Sequence, residues 1–421
     1  MDRVARTRRF AVLLVVVTLV GAGCGRAAET GSPSLPVGAL YPVSGPQGTG
    51  GGEEQRGVAL AVEWANAHGG VRGRNVRLVT ADVPRAEAVP AALARLRGKG
   101  VSVVLGSHGS AVSATAAQVA SATGMSFWET GAVGELGPGV AGGQSFFRLA
   151  PMGASLGRAA IAFVRDQLAG RLGANGPLRY AVAHVDDPYG RAVAAGAVDE
   201  VERGEVLAGR FAYDARSEDF GALARRIAEA RPDVLFVAAY LDDGVALRTA
   251  TVAAGVPLLV SIGTSSSYCM PSFGDRLGDA AVGLFASDKP DAADVNVGAL
   301  KPEGARALEW VRARYEARFH EPMSAPALSG FSNAYALLVH VLPAASGASP
   351  AAVAKTAMAV KLDEGTLANG AGLDLAPPGA ADAGENRRAS SVIWEWVAPR
   401  TRAVVWPPAF ATHAIVNPPS R

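Results

Sequence analysis

Six short segments hold most of the residues able to do chemistry: 41–52, 106–112, 129–135, 186–190, 239–243 and 263–269. They are rich in Gly, Ser, Tyr and carboxylates, a set suited to hydrogen-bonded recognition of a small polar molecule. Covalent catalysis is poorly served. Ser107 and His108 are sequence neighbours and cannot act on each other as nucleophile and base, and no Gly-x-Ser-x-Gly elbow occurs. His68, His108, His184, His320, His340 and His413 show no metal-ligand spacing. The run Gly48–Gly52 invites a phosphate-loop reading, but no Gly-Lys-Ser/Thr follows and Glu53–Glu54 would repel phosphate. Glu53 also takes the place of the third glycine in a dinucleotide-binding fingerprint. We therefore expect no enzyme activity, no cofactor and no metal.

The elements that must position these segments follow from periodicity. Strand patterns at 37–40, 76–80, 101–105, 125–128, 180–185, 234–239 and 258–262 alternate with helical patterns at 58–67, 91–97, 113–122, 155–168, 191–202, 220–230 and 244–254. Apolar strands alternating with helices call for parallel sheets covered on both faces. A plausible break near 146–151 gives two doubly wound lobes. Helices at 302–319, 331–342 and 351–360, and strand-like runs near Leu373, 392–397 and 404–406, complete them, with 376–384 as a surface excursion. In such sheets ligands sit beyond the carboxyl ends of strands, where loops hand over to helix N-termini. The first three polar segments belong to one lobe and the last three to the other, so a cleft between lobes is the expected site.

The amino terminus sets the compartment. Arg3, Arg6, Arg8 and Arg9 precede an apolar run from Phe10 to Val20, then Gly21, Ala22, Gly23 and Cys24. This order reads as an export signal over 1–23 ending at a lipid-attachment cysteine, with 24–35 a lipidated tether. The large aliphatic residue usual three positions before such a cysteine is Gly21 here. The run falls short of the roughly 20 apolar residues of a spanning helix, and no later segment reads as one. Residues 1–23 carry four arginines and one aspartate against a whole-chain net charge of +2, so the remainder is close to neutral. That balance argues against nucleic acid and against a polybasic membrane contact. Cys269, the only other cysteine, is left without a disulfide partner and reads as a small buried apolar residue.

A family resemblance adds to this. Pro42-Val43-Ser44-Gly45-Pro46, Gly57, Ala61-Val62, Asn66, Gly69-Gly70-Val71-Arg72-Gly73-Arg74 and Asp82 resemble the opening of periplasmic solute-binding proteins of the branched-chain amino acid type. The likeness continues through Gly106…Ser110, Gly131-Ala132, Asp187…Tyr189-Gly190 and Gly278–Gly283, and covers residues 36–410. It implies an α/β fold of two Rossmann-like lobes joined by a three-strand hinge, the type I periplasmic binding protein or Venus flytrap. The expected lobes are 36–149 plus 290–365 and 150–289 plus 366–421. The implied protein is an extracytoplasmic, membrane-anchored monomer that delivers a small solute to an ABC permease; a sensor of the same fold with a membrane signalling partner is the alternative.

Carried onto this chain, the resemblance places Ser110 and the backbone of Ala132 and Val133 on a ligand carboxylate, and Tyr189 and Tyr240 over the ligand from the second lobe. Helix-start N–H groups and a hydroxyl suit an anion. The acid that pairs a ligand ammonium falls near Ser265–Ser266 and is missing. A wall aromatic is replaced around Gly50, and a hydroxyl-bearing position becomes Val133. Either Glu129 or Asp242 supplies the lost charge, or the solute is not an α-amino acid but an amide, urea-like or plain carboxylate compound.

Overall fold

The computed structural model describes residues 34–135, 145–380, 382–389 and 391–416. The expected signal, Cys24 and nearly all of the tether lie outside them. The first sheet is wholly parallel, in the order β2-β1-β3-β4-β5: β1 (Leu35–Tyr41), β2 (Val76–Asp82), β3 (Val103–Gly106), β4 (Ser126–Glu129) and β5 (Phe146–Arg148). β1 reads Leu-Pro-Val-Gly-Ala-Leu-Tyr and is buried almost throughout, as a strand covered on both faces must be. Its neighbours show the two faces directly. Val103, Leu105 and Trp128 enter one apolar cluster, whereas Val104 and Phe127 enter the other.

Helices α1 (Gly48–Ala67), α2 (Val89–Gly98) and α3 (Ser110–Thr123) wind this sheet. α1 starts ten residues before the expected helix at Val58, taking in the glycine run that reads as a loop. Close packing explains it. A Cβ on Gly57 would lie 1.9 Å from the Ala327 carbonyl, and one on Gly51 2.1 Å from that of Pro42. Tertiary contact has overridden weak glycine helix propensity.

The second lobe holds β6 (Arg179–Val185), β7 (Val206–Tyr213), β8 (Val234–Ala238), β9 (Val260–Thr264), β10 (Phe285–Asp288), β11 (Val392–Ala398) and β12 (Thr401–Trp406), ordered β12-β11-β10-β9-β8-β6-β7. Strands β6 to β10 pair in parallel; β11 and β12 add an antiparallel edge. Helices α4 (Gly153–Phe163), α5 (Pro188–Val201), α6 (Phe220–Glu229), α7 (Leu241–Ala253) and α8 (Pro271–Leu277) flank it. Asp187 and Asp219 cap α5 and α6 by accepting the N–H of Gly190 at 2.8 Å and of Ala222 at 3.0 Å.

The chain then returns to the first lobe as α9 (Pro302–Phe319), α10 (Ala325–Tyr335), α11 (Leu342–Ala344) and α12 (Pro350–Ala359). The stretch Ala325–Ala344 is long and apolar enough to cross a membrane, contrary to expectation, but 89% of its 18-residue apolar window is buried inside the protein. It is the core helix of the first lobe, packed on α1. The chain passes between the sheets three times: after β5, after β10, and again before β11.

One boundary moves. Leu367, Ala368, Ala371, Leu373 and Leu375 pack in the first lobe's core with Val353 and Leu337, so the segment expected to open the second lobe at 366 completes the first. Short bridges hold it there, Leu362 to Leu373 and Leu375 to Asn386.

Candidate functional site

The carboxyl ends of β3 and β4 face the cleft from the first lobe. α3 opens at Ser110 behind an N-cap, Gly109, that offers no side chain, so its first-turn N–H groups are not capped from within. Ser110 is buried, and its Oγ accepts the Gly134 N–H at 3.0 Å. Gln47, just ahead of α1, reaches across the cleft to donate to the Tyr240 hydroxyl at 3.0 Å.

Tyr240 is the N-cap of α7, and its hydroxyl donates to Asp187 Oδ2 at 2.7 Å. Tyr189, in the first turn of α5, lies with its ring centroid 5.2 Å from that of Tyr240 at 38°. Its hydroxyl donates to the Ser265 carbonyl in the loop after β9. Burial raises both phenols well above their ordinary range, so each acts as a neutral hydrogen-bonding ring. Ser266 follows with φ of 73° and is half-buried. The structure thus brings Ser110, Tyr189, Tyr240 and the Ser265–Ser266 turn to one mouth, with Gln47 and Asp187 added.

Other expected residues are elsewhere or otherwise engaged. Glu129 is fully buried, and its carboxylate accepts from the Ser107 N–H at 3.0 Å, the Gly131 N–H at 2.8 Å and the Ala132 N–H at 2.7 Å, and from the Ser113 hydroxyl. It ties two loops of its own lobe together and has no oxygen turned to the opposite lobe. Burial and the neighbouring Glu54 charge raise its carboxyl to about 8, against the pull of Arg148 and the backbone donors. Ala132 spends its N–H on Glu129, and the Val133 side chain packs in the second lobe's core while its carbonyl accepts the Gly153 N–H at 2.7 Å. Asp242 is 91% exposed at its side chain and paired with Arg276 at 2.5 Å, on the solvent side of α7. Neither carboxylate stands where a ligand ammonium could meet it.

Sequence reasoning gave no place in the site to Glu54 or Lys289. His108 accompanies Ser107, and its Nδ1 lies 2.8 Å from Glu54 Oε2; the other Glu54 oxygen takes the Thr130 hydroxyl at 2.5 Å, and Thr130 in turn lies 2.6 Å from the Tyr41 hydroxyl. This chain of bonds braces the floor of the first lobe. Lys289, just past β10, donates to the Gly131 carbonyl at 3.0 Å. Cys269 is buried as expected and donates to Asp288 at 2.9 Å. Among the described residues no group of three His, Cys, Asp or Glu is placed to hold a metal ion. Two surface hollows, beside Arg72 and Leu342 and beside Leu93 and Val119, lie on the first lobe away from these strand ends.

Two doubly wound lobes with polar strand ends facing across a cleft define a solute-binding architecture. Residues 34–387 match the periplasmic binding protein family, and the chain belongs to it. Its relatives include a Leu/Ile/Val-binding protein homologue of Brucella suis, 27% identical over 90% of this chain and 93% of that one. The fold matches the leucine binding protein LivK of Thermotoga maritima, with a TM-score of 0.72 and 18% identity over 88% of this chain and 97% of that one. It also matches an ABC transporter solute-binding protein of R. palustris solved with benzoate, at a TM-score of 0.70 and 16% identity over 90% and 98%.

Proposed function

We propose that this protein is a lipid-anchored, extracytoplasmic receptor that captures a small carboxylate-bearing solute between its lobes and hands it to an ABC importer. The observation that carries the reading is the meeting of Gln47 and Tyr240 at 3.0 Å across the mouth, above the uncapped start of α3. A solute lying there would touch helix-start N–H groups and Ser110 on one side and two phenol rings, tilted 38° to each other, on the other. Binding to both lobes at once stabilises the joined arrangement over the parted one. Leucine, for the leucine binding protein of Thermotoga maritima, and benzoate, held by the R. palustris protein, share a carboxylate next to an apolar body. That combination fits a helix N-terminus facing aromatic rings. The basic and apolar run ahead of Cys24 supports export and lipidation.

The test is a thermal-shift screen of the full-length chain against L-amino acids, benzoate, short aliphatic carboxylates, amides and urea. A true solute at 100 times its dissociation constant adds about 2.7 kcal/mol of stability. Carboxylate-bearing compounds should respond and urea should not. If no carboxylate shifts melting while a neutral amide does, the reading is wrong.

A further inference from the structure

Among the residues considered so far, the one carboxylate at the mouth is Asp187, and both of its oxygens are engaged, one by the Gly190 N–H and one by the Tyr240 hydroxyl. Serines stand where an acid would pair an ammonium, Glu129 serves the backbone of its lobe, and Asp242 lies in solvent. Two consecutive charged residues nevertheless occur at the junction, where the chain leaves β10 for the first lobe.

Lys289 is only 5% exposed, and its Nζ donates to Gly131 in the same loop whose Gly134 meets Ser110. Among the described residues that carbonyl is its one polar contact, and no carboxylate pairs with it. An ammonium withdrawn from water without a counter-charge is costly and calls for an anion. The α3 start and Ser110 are where that anion is expected.

Asp288 is 3% exposed. Its Oδ2 accepts from Cys269, but its Oδ1 is buried with no partner. Thr264 and Ser287, paired in register at the ends of β9 and β10, also have buried hydroxyls without partners. A buried carboxylate oxygen left without a partner is rare in native proteins, and at Asp288 it points to an absent occupant. The Asp288 charge lies within reach of the mouth: after burial itself, it helps push up the Cys269 thiol and the Tyr189 hydroxyl.

We propose that Asp288 and Lys289 are the charge-selecting residues of the solute site: Lys289 joins the α3 start on the solute carboxylate, and Asp288 receives its ammonium. The solute is then a zwitterion, and the acid missing at Ser265–Ser266 is replaced from the neighbouring strand. This rests on reading the cleft as the solute site.

The experiment titrates the full-length chain by calorimetry with each common L-amino acid. The tightest binder is then compared with its des-amino acid and its carboxamide. Each analogue should bind at least about 100-fold more weakly, since each leaves one buried charge unpaired. Asp288→Asn should erase discrimination against the des-amino acid, and Lys289→Met discrimination against the carboxamide. The assignment is overturned if both variants bind the parent amino acid as the unmodified protein does. It is also overturned if the unmodified protein binds plain carboxylates and no amino acid, a readout that needs no variant to fold. Ser110→Ala separates the two levels. Should it weaken binding while the other two do not, only Asp288 and Lys289 are wrongly assigned; should all three leave binding intact, the cleft is not the site.

Discussion

Gln47 of the first lobe and Tyr240 of the second share one hydrogen bond, 3.0 Å long, and the tyrosine hydroxyl in turn donates to Asp187 at 2.7 Å. A side chain just ahead of α1 is thereby linked to the cap of α5 through the cap of α7. Removing either end should favour the parted lobes. Gln47→Ala and Tyr240→Phe are each expected to weaken solute binding about tenfold, the value of one such bond. The double variant should cost little more than either alone, which a calorimetric double-mutant cycle checks.

Stability should fall as pH rises. The folded protein holds the Glu129 proton up to about pH 8, while the ordinary value is 4.5, so the unfolded chain releases it first. Between those values the folded state binds more protons, and each pH unit removes up to about 1.4 kcal/mol. Asp294, raised to about 7 by burial and then by Asp291, adds to the same slope. Melting temperature should therefore decline over this window, and Glu129→Gln should flatten part of the decline. A profile unaltered by that substitution would show the carboxyl ionised throughout.

Gly134 is fixed by close approach. A Cβ there would lie 2.5 Å from the Ser110 Cβ and 3.1 Å from the Pro188 carbonyl of the second lobe. Gly134→Ala should wedge the lobes apart and lower solute affinity tenfold or more. Overpacking costs about 1–3 kcal/mol, so the fold survives, and circular dichroism alongside titration separates the two effects.

Arg148, fully buried at the end of β5, donates to the Gly134 carbonyl at 2.7 Å and pairs with Glu385 at 3.3 Å. Arg148→Met would strand a buried carboxylate and should cost about 3–5 kcal/mol in denaturant unfolding. Adding Glu385→Gln should recover part of that loss.

Cys24→Ser tests the anchor. The unmodified protein should sediment with membranes after expression in its bacterial host, and the variant should appear in the soluble envelope fraction. Equal partitioning of both would remove lipidation from the proposal.

Much of this architecture is legible in the residues themselves. The buried runs of β1, β3 and β8 announce parallel strands, and the polar segment 186–190 was readable as a strand-end loop, although α5 already starts there, at Pro188 behind Asp187. β7 escaped because Val-Leu-Ala-Gly-Arg-Phe-Ala-Tyr is an edge strand, half-exposed and interrupted by glycine. The glycine-rich start of α1 escaped because its helicity depends on the Ala327 and Pro42 carbonyls, far away in sequence. In the site, the strand ends named the loops, and it was the family resemblance that picked out Ser110 and the two tyrosines within them. Glu129 was misjudged because nothing local says which way a carboxylate turns, and here it turns onto three backbone amides. Asp288 and Lys289 carry no motif; only the crossing of the chain between lobes puts them at the mouth.

That crossing has a consequence for synthesis. The core of the amino-terminal lobe is sealed by Leu367, Leu373 and Leu375, close to the far end of the chain. A ribosome or translocation pore releasing this polypeptide from its beginning would present strands β1 to β5 long before their covering leucines exist. The half that emerges first must therefore wait, exposed and sticky, until almost everything behind it has arrived.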